Sequence, residues 1–112
     1  MLSNENRLKK RKEFGFIYKN GKTVYSKNLN IIYVNTNRKI FRIGFSISKK
    51  VGKAVFRNKV KRRLSEIIRN NLNLIKNEYN YVIVVKPGID QLNFPQLKEE
   101  LLNAFKKGNL LV

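Results

Sequence analysis

The sequence predicts a single α+β domain in which helices pack against a mostly antiparallel, four-stranded sheet, in the order α-β-β-β-α-β-α. Three observations lead to this prediction. The chain has 112 residues, the size of one domain, and 42% of them are hydrophobic, which is enough for a core. Segments with strand-like alternation are also interspersed along the chain with segments of helical periodicity. With no linker or internal repeat, residues 1–112 are expected to form a single domain.

Each element has its own signal in the sequence. Strand segments are rich in β-branched and aromatic residues, helical segments carry an apolar stripe, and turns contain Gly, Pro or Asn. In chain order these signals predict a helix at Lys9–Asn20, strands at Thr23–Ser26, Leu29–Val34 and Arg42–Ser48, a helix from Val55 to about Lys76, a strand at Tyr81–Val85, and a helix from Phe94 to Gly108.

Particular residues set the ends of these elements. Gly21 is predicted to stop the first helix, since glycine readily takes the left-handed conformation found at helix ends. The segment Asn35–Lys39 indicates a turn between two strands. Asn93 is a predicted cap of the last helix, with Pro95 in its first turn.

The charge of the chain indicates a polyanionic partner. Its 25 Lys and Arg and 7 Asp and Glu give a formal net charge of +18. Residues 1–69 hold 20 of these cations and 3 of the acids, so +17 of the net charge lies there and +1 in residues 70–112. Such a surplus repels itself and is usually offset by nucleic acid or an anionic membrane. We expect no membrane partner and a cytoplasmic location, because no apolar run approaches the roughly 18 residues of a spanning helix and the N-terminus lacks a secretory signal.

Side chains that commonly perform catalysis are scarce. The chain contains no His and no Cys, which removes the commonest general base and the best thiol nucleophile. Its acids are scattered; only Glu99 and Glu100 are adjacent, and neighbours on a helix point about 100° apart. A carboxylate site for two metals is therefore hard to assemble. No catalytic or metal-ligating residue is predicted in the protein.

The stretch from Ser48 to Arg69 carries the clearest binding signal. On a helical wheel its apolar residues occupy one side, and a neighbouring side carries hydrogen-bond donors, Ser65 among them. Glu66 is the only acid in this stretch, whereas a merely solvated face, the alternative interpretation, normally mixes signs. We therefore predict a polyanion site preceded by a turn at Gly52, although an ordinary turn glycine explains Gly52 equally well. Its predicted contact residues are Lys49, Lys50, Lys53, Arg57, Asn58, Lys59, Lys61, Arg62, Arg63 and Arg69.

Three aromatic residues are predicted to hold single-stranded RNA. Phe14 and Tyr18 are four residues apart and share one face of the first helix, and Tyr33 on the second strand is expected near them. Aromatic rings surrounded by Lys stack bases, each worth about 1–3 kcal/mol. Burial in the core is the alternative and stays open for Phe14, whereas the polar ends of the two tyrosines favour a half-open site.

Most of the chain resembles the bacterial ribonuclease P protein family. The stretch KKVGKAVFRNKVKRRLSE is similar to the family's signature, and RLKKRKEFGFIYKNGK is similar to its opening helix, with two aromatics four residues apart before a glycine turn. Lys59 stands where the family often has Arg, Tyr18 where it often has Phe, and Ser65 and Glu66 in a usually more basic stretch. The residues that match the signature and its lead-in are Lys50, Gly52, Lys53, Ala54, Arg57, Asn58, Lys61 and Arg62.

This resemblance implies a protein that binds a large catalytic RNA and helps it remove the 5′ leader of precursor tRNA. The RNA would cleave with bound Mg²⁺, and Phe14, Tyr18 and Tyr33 would line a cleft for the leader. The resemblance also implies a fold like that of ribosomal protein S5 domain 2, with a left-handed crossover through the long helix, although such crossovers are generally right-handed. Without RNA, sulfate or phosphate is expected to bind and order the domain.

Three other functions remain open from the sequence. A ribosomal or other structural RNA-binding protein would share the charge and the size. A nuclease that acts without RNA would share the substrate class, but it would need catalytic side chains. A module that binds double-stranded DNA would use the basic helix, although no helix-turn-helix pair is evident.

Overall fold

Three α-helices and four strands follow one another in the predicted order in a computed structural model, which describes residues 2–112. They are helix α1 (Arg11–Asn20), strands β1 (Lys22–Tyr25), β2 (Leu29–Asn35) and β3 (Arg42–Ser46), helix α2 (Ala54–Arg69), strand β4 (Tyr79–Val85) and helix α3 (Phe94–Lys107). Within these residues no helix has the length and apolar character that crossing a membrane requires.

The four strands form one mixed sheet in the order β1-β2-β4-β3. β2 pairs antiparallel with both β1 and β4, whereas β3 pairs parallel with β4. The predicted α+β fold with a mostly antiparallel sheet is therefore confirmed. Because α2 connects the two parallel strands, β3-α2-β4 is the predicted crossover, and its left hand stays a prediction.

The two faces of the sheet pack against different helices. Alternate residues of β2 and β4, such as Ile31 and Ile83, point toward α2 and α3 and belong to the larger core. The opposite face meets α1, where Ile17 is buried against Val82 in a smaller core. Leu8, from the segment before α1, completes that smaller core.

Helix α2 is shorter than predicted and ends at Arg69 instead of near Lys76. The side-chain amide of Asn71 donates to the carbonyl oxygen of Ile67 at 2.7 Å, and such local bonds compete with helix continuation. Ile75, the last residue of the predicted stripe, is buried, but it forms an isolated bridge with Leu111 outside any helix. The apolar period therefore continued past the true end of the helix.

Gly21 ends α1 as predicted, but not in the left-handed conformation. Its φ of −83° and ψ of 164° are extended. A Cβ at this position would lie 2.6 Å from the carbonyl oxygen of Ile17 and 2.8 Å from Cγ2 of Ile32. Glycine is needed here because the end of α1 lies directly against β2.

The predicted cap of α3 is confirmed. The side-chain oxygen of Asn93 accepts from the backbone N–H of Gln96 at 2.9 Å, and the Gln96 side chain accepts from the Asn93 N–H at 3.0 Å. Gly108 follows the last turn. The sequence predicts this cap correctly because Asn93 and Gln96 lie within one helical turn of each other.

The segment before α1 covers the free edge of β3. The N–H of Leu8 donates to the carbonyl oxygen of Ile43 at 3.0 Å, and the Asn6 side chain donates to the carbonyl oxygen of Phe41 at 2.9 Å. An uncovered edge strand invites pairing with other chains, so this segment protects the sheet. It also brings Arg7 close to α2, with consequences for the site.

Candidate RNA interface

Helix α2 presents most of its cations to solvent. Its apolar side is buried as predicted, with Val60, Leu64, Ile67 and Ile68 in the larger core. The predicted contact residues Asn58, Lys59, Lys61, Arg62 and Arg69 are exposed, and Arg57 and Arg63 are half-buried. Asn58, Lys61 and Arg62 line one open cavity of about 470 Å³. The structure thus brings the central residues of the signature together on one surface.

The turn before α2 adds three more cations. Lys49, Lys50 and Lys53 are all exposed, and the first turn of α2 contains no acid. Gly52 has a φ of 157°, and a Cβ there would lie 2.8 Å from Cδ2 of Phe56. The Nε of Arg57 donates to the carbonyl oxygen of Gly52 at 3.1 Å and holds the turn against the helix. Cations beside the positive end of a helix dipole make a surface that attracts phosphate.

Ser65 does not belong to the exposed row of donors, contrary to the prediction. It is buried and lines a small cavity of about 150 Å³ together with Arg7, Lys9 and Lys61. The reason is tertiary, because this side of α2 faces β3 and the segment before α1, whose residues line the same cavity. Sequence reasoning missed Arg7 and Lys9 as neighbours of the site. Arg7 lies in a segment without a periodic signal, and Lys9 was predicted to open the first helix, which begins only at Arg11.

Helix α1 covers only part of its face of the sheet. It packs through Ile17, and the strand register puts four residues in a row beyond this contact, on the same face. We call this set the open row, and it consists of Tyr25, Asn30, Val84 and Ser46. Tyr25 is 65% exposed and the other three are half-buried, so no helix closes over them.

The two predicted aromatics of α1 lie on the side that faces the open row. Phe14 is half-buried on β3, where a Cβ on Gly44 would lie 2.3 Å from its Cζ. Tyr18, one turn later, is 47% exposed. The opposite flank of α1 is marked by Glu13, which pairs with Arg42 at the other end of β3 at 3.0 Å. Phe14 therefore packs in the smaller core and also borders the open row, whereas the exposed ring of Tyr18 is accessible for stacking with a base.

Tyr33 does not join these aromatics, and its predicted place in the cleft is wrong. Its ring packs edge-on against Tyr79, with centroids 5.4 Å apart, and contacts the larger core. Successive residues of a strand point to opposite faces, so it is Ile32 that faces α1. Tyr25 takes the expected position instead. The register could have indicated it, since Tyr25 lies opposite Asn30, two residues before Ile32 on the same face.

The single acid of α1 carries little free charge. Burial raises the pKa of Glu13, but the backbone N–H of Lys10 at 3.2 Å and the guanidinium of Arg42 outweigh it and hold the pKa below its ordinary value. The carboxylate is thus ionised and paired. The potential around α1 is therefore dominated by its cations.

The described residues do not fit a protein-held metal site. Across residues 2–112 no three side chains of His, Cys, Asp or Glu are grouped closely enough to bind an ion. The surface instead combines exposed cations with exposed aromatic rings, the combination that binds single-stranded nucleic acid.

Comparison with known proteins assigns the chain to a family. The family model described as Ribonuclease P matches residues 2–109. The chain belongs to the ribonuclease P protein family. Similar relatives are the ribonuclease P protein components of Clostridium botulinum (strain 657 / Type Ba4), 41% identical over 108 residues, which are 95% of this chain and 96% of that one, and of Finegoldia magna, 39% identical over 103 residues, 92% and 90% of the two chains.

Solved structures of the family have the same fold. The RNase P protein of Staphylococcus aureus superimposes with a TM-score of 0.89 at 28% identity, over 96% of this chain and 98% of that one. The RNase P protein of Thermotoga maritima gives 0.84 at 30% identity, over 90% and 96%. The predicted role in 5′ processing of tRNA is confirmed: the chain is a component of an endoribonuclease that contains RNA. A ribosomal or other structural RNA-binding protein is not favoured.

Proposed function

We propose that this ribonuclease P protein binds the catalytic RNA through the exposed side of α2 and the 5′ leader of precursor tRNA across the open row. The RNA, with Mg²⁺ that it holds itself, would cleave the phosphodiester bond. The protein would neutralise phosphates of the RNA and position the leader. We infer a cytoplasmic location, in keeping with a role in tRNA processing.

The exposed cations of α2 and its preceding turn carry the proposal for the RNA partner. Seven Lys or Arg side chains between Lys49 and Arg69 are exposed, and Glu66 is the only acid there. Each cation that neutralises a phosphate releases a condensed counterion, which drives binding at low salt. The same surface would hold sulfate or phosphate when RNA is absent, most readily at the turn formed by Lys49, Lys50 and Lys53.

The open row and Tyr18 support the proposal for the leader. A single strand needs aromatic or apolar faces for its bases and cations for its phosphates. Tyr18 and Tyr25 expose their rings, and Val84 offers an apolar floor between the strands. None of these contacts reads a base edge, which suits a leader whose sequence differs from one precursor to another.

The test is cleavage of precursor tRNA by the cognate catalytic RNA at low Mg²⁺, with and without the protein, beside the protein alone. We expect strong stimulation by the protein and no cleavage by protein freed of RNA. Cleavage by the RNase-treated protein would contradict catalysis by the RNA. Tight RNA binding with no stimulation would contradict the proposed assistance in cleavage.

A further inference from the structure

The flank of α1 that faces away from the open row holds a second aromatic site. Phe16 is 58% exposed at the mouth of a cavity of about 270 Å³. Ile17 and Val34 form an apolar part of its lining, and its polar groups come from Lys12, Glu13, Thr36 and Asn80. The side-chain oxygen of Asn80 accepts from the N–H of Arg42 at 3.1 Å, which leaves the amide NH2 group to donate.

The outer surface of α1 connects this cavity with the open row. At 100° per residue, Tyr18 and Phe16 lie about 160° apart around the helix. The residues between them are all exposed, and three of the four are cations: Arg11, Lys12, Gly15 and Lys19. The nearest acid, Glu13, lies on the inner side, where it lines the cavity beside Phe16 and is paired with Arg42. The two rings are thus joined by a surface that carries only positive charge.

Gly15 at the centre of this surface has no role in packing. A Cβ at Gly15 would meet no atom within 4 Å, whereas a Cβ at Gly21 or Gly44 would collide with neighbouring atoms. Glycine inside a helix is less stable than alanine and is used where backbone must approach a ligand closely. The protein's own packing does not explain a glycine in the middle of α1, and a strand lying across the helix does.

We propose that the leader crosses the outer surface of α1 at Gly15, so that one of its bases stacks on Phe16 and enters the cavity beside it. This inference rests on the proposed binding of the leader beside Tyr18. Arg11, Lys12 and Lys19 neutralise the phosphates of the crossing, and the amide of Asn80 donates to the edge of the base. Since a helix with its side chains is about 10–12 Å wide, only a leader of several nucleotides reaches Phe16.

The positive charge around the cavity beside Phe16 favours RNA as its occupant over a hydrophobic segment of another protein. A protein partner that inserted a side chain beside Phe16 would also have to neutralise the cations around it. A leader brings its phosphates with its bases. The catalytic RNA has the same chemistry, and the experiment separates it from the leader by leader length.

The experiment measures the affinity of the reconstituted holoenzyme for precursor tRNAs that carry either one leader nucleotide or about ten. The longer leader falls within the range of about 4–16 nucleotides that proteins binding single strands contact. We expect Phe16→Ala to weaken binding of the long leader at least about fivefold and to leave the short one unchanged, as stacking of one base implies. Gly15→Val should act in the same direction. Leu74→Ala, another exposed apolar residue distant from α1 in sequence, is the control.

Three outcomes would overturn the inference, and each is distinct. Loss of affinity for both substrates, or for the catalytic RNA alone, would assign the Phe16 cavity to the catalytic RNA. A Phe16→Ala enzyme equal to wild type, while Tyr18→Ala still weakens the long leader, would remove the crossing and keep the proposed leader site. A wild-type enzyme whose affinity does not depend on leader length would contradict both the crossing and the proposed leader site. A melting temperature for each variant shows that it is folded.

Discussion

The two faces of the sheet are built from alternate residues of the same strands and are covered to different extents. Ile83 and Val84 are neighbours in β4. Ile83 is fully buried under α2 and α3, whereas Val84 is half-buried in the open row beside α1. Two helices close one face and one short helix leaves the other partly open. A small domain with a limited core thus concentrates its stability on one face and leaves the other partly open, where the leader is proposed to bind.

Charge follows the same division. The closed face is completed by α3, which belongs to the nearly neutral last third of the chain. The cations lie on α1 beside the open face, on the turn before α2 and on the exposed side of α2. Self-repulsion is therefore largest where an RNA partner would relieve it. The following predictions test whether stability and binding separate in this way.

The largest effect is expected from truncation on the closed face. Ile83→Ala should lower the free energy of unfolding by about 2–5 kcal/mol, as is typical for a fully buried isoleucine. Val84→Ala should cost less than about 1.5 kcal/mol, because this side chain is only half-buried. Denaturant unfolding in sulfate measures both. Equal losses would mean that the open row is closed in solution.

The next effect concerns the tyrosines on the two faces. Tyr18→Ala and Tyr25→Ala should each weaken binding of leader-containing substrate by about 1–3 kcal/mol and leave substrate without a leader unchanged. Tyr33→Ala should lower stability, because its ring packs against Tyr79, and spare the leader contribution. Binding of matched substrates with and without a leader gives the answer. A leader-specific loss in the Tyr33 variant would restore it to the cleft.

A smaller effect is expected from single cations. Arg62→Ala should weaken binding of the catalytic RNA and reduce the log–log slope of affinity against salt by about 0.7–0.9. Lys98→Ala, an exposed cation on α3, should change neither. Titrations at several salt concentrations make the comparison. Identical slopes in the two variants would show that α2 is not the binding surface.

Local signals predicted much of this fold, and tertiary contacts decided the rest. The order of elements, the buried side of α2 and the cap at Asn93 depend on residues within a few positions of each other. The end of α2 was missed because its apolar period continues to Ile75, while Asn71 interrupts the backbone bonds. The hand of the crossover has no local signal at all.

The candidate site shows the same limit. The exposed cations of α2 follow from helical periodicity and were predicted individually. The face on which Tyr33 lies depends on a shift of one residue in strand register, and an aromatic residue type alone does not decide it. Ser65 was misplaced because residues far from it in sequence, Arg7 and Phe45 among them, line the same cavity.

The smallest predicted effect is that of Gly15→Ala, which should change stability and leader binding in opposite directions. Gly15→Ala should raise the free energy of unfolding by roughly 0.5–1 kcal/mol, since alanine favours a helix and its Cβ meets no neighbour. The same methyl group stands where the leader is proposed to cross, so affinity for a long leader should fall. Gly21→Ala, by contrast, should destabilise the protein, because its Cβ would lie 2.6 Å from a backbone oxygen. A Gly15→Ala variant that is more stable and binds long leaders as well as wild type would show that the helix surface is free of RNA.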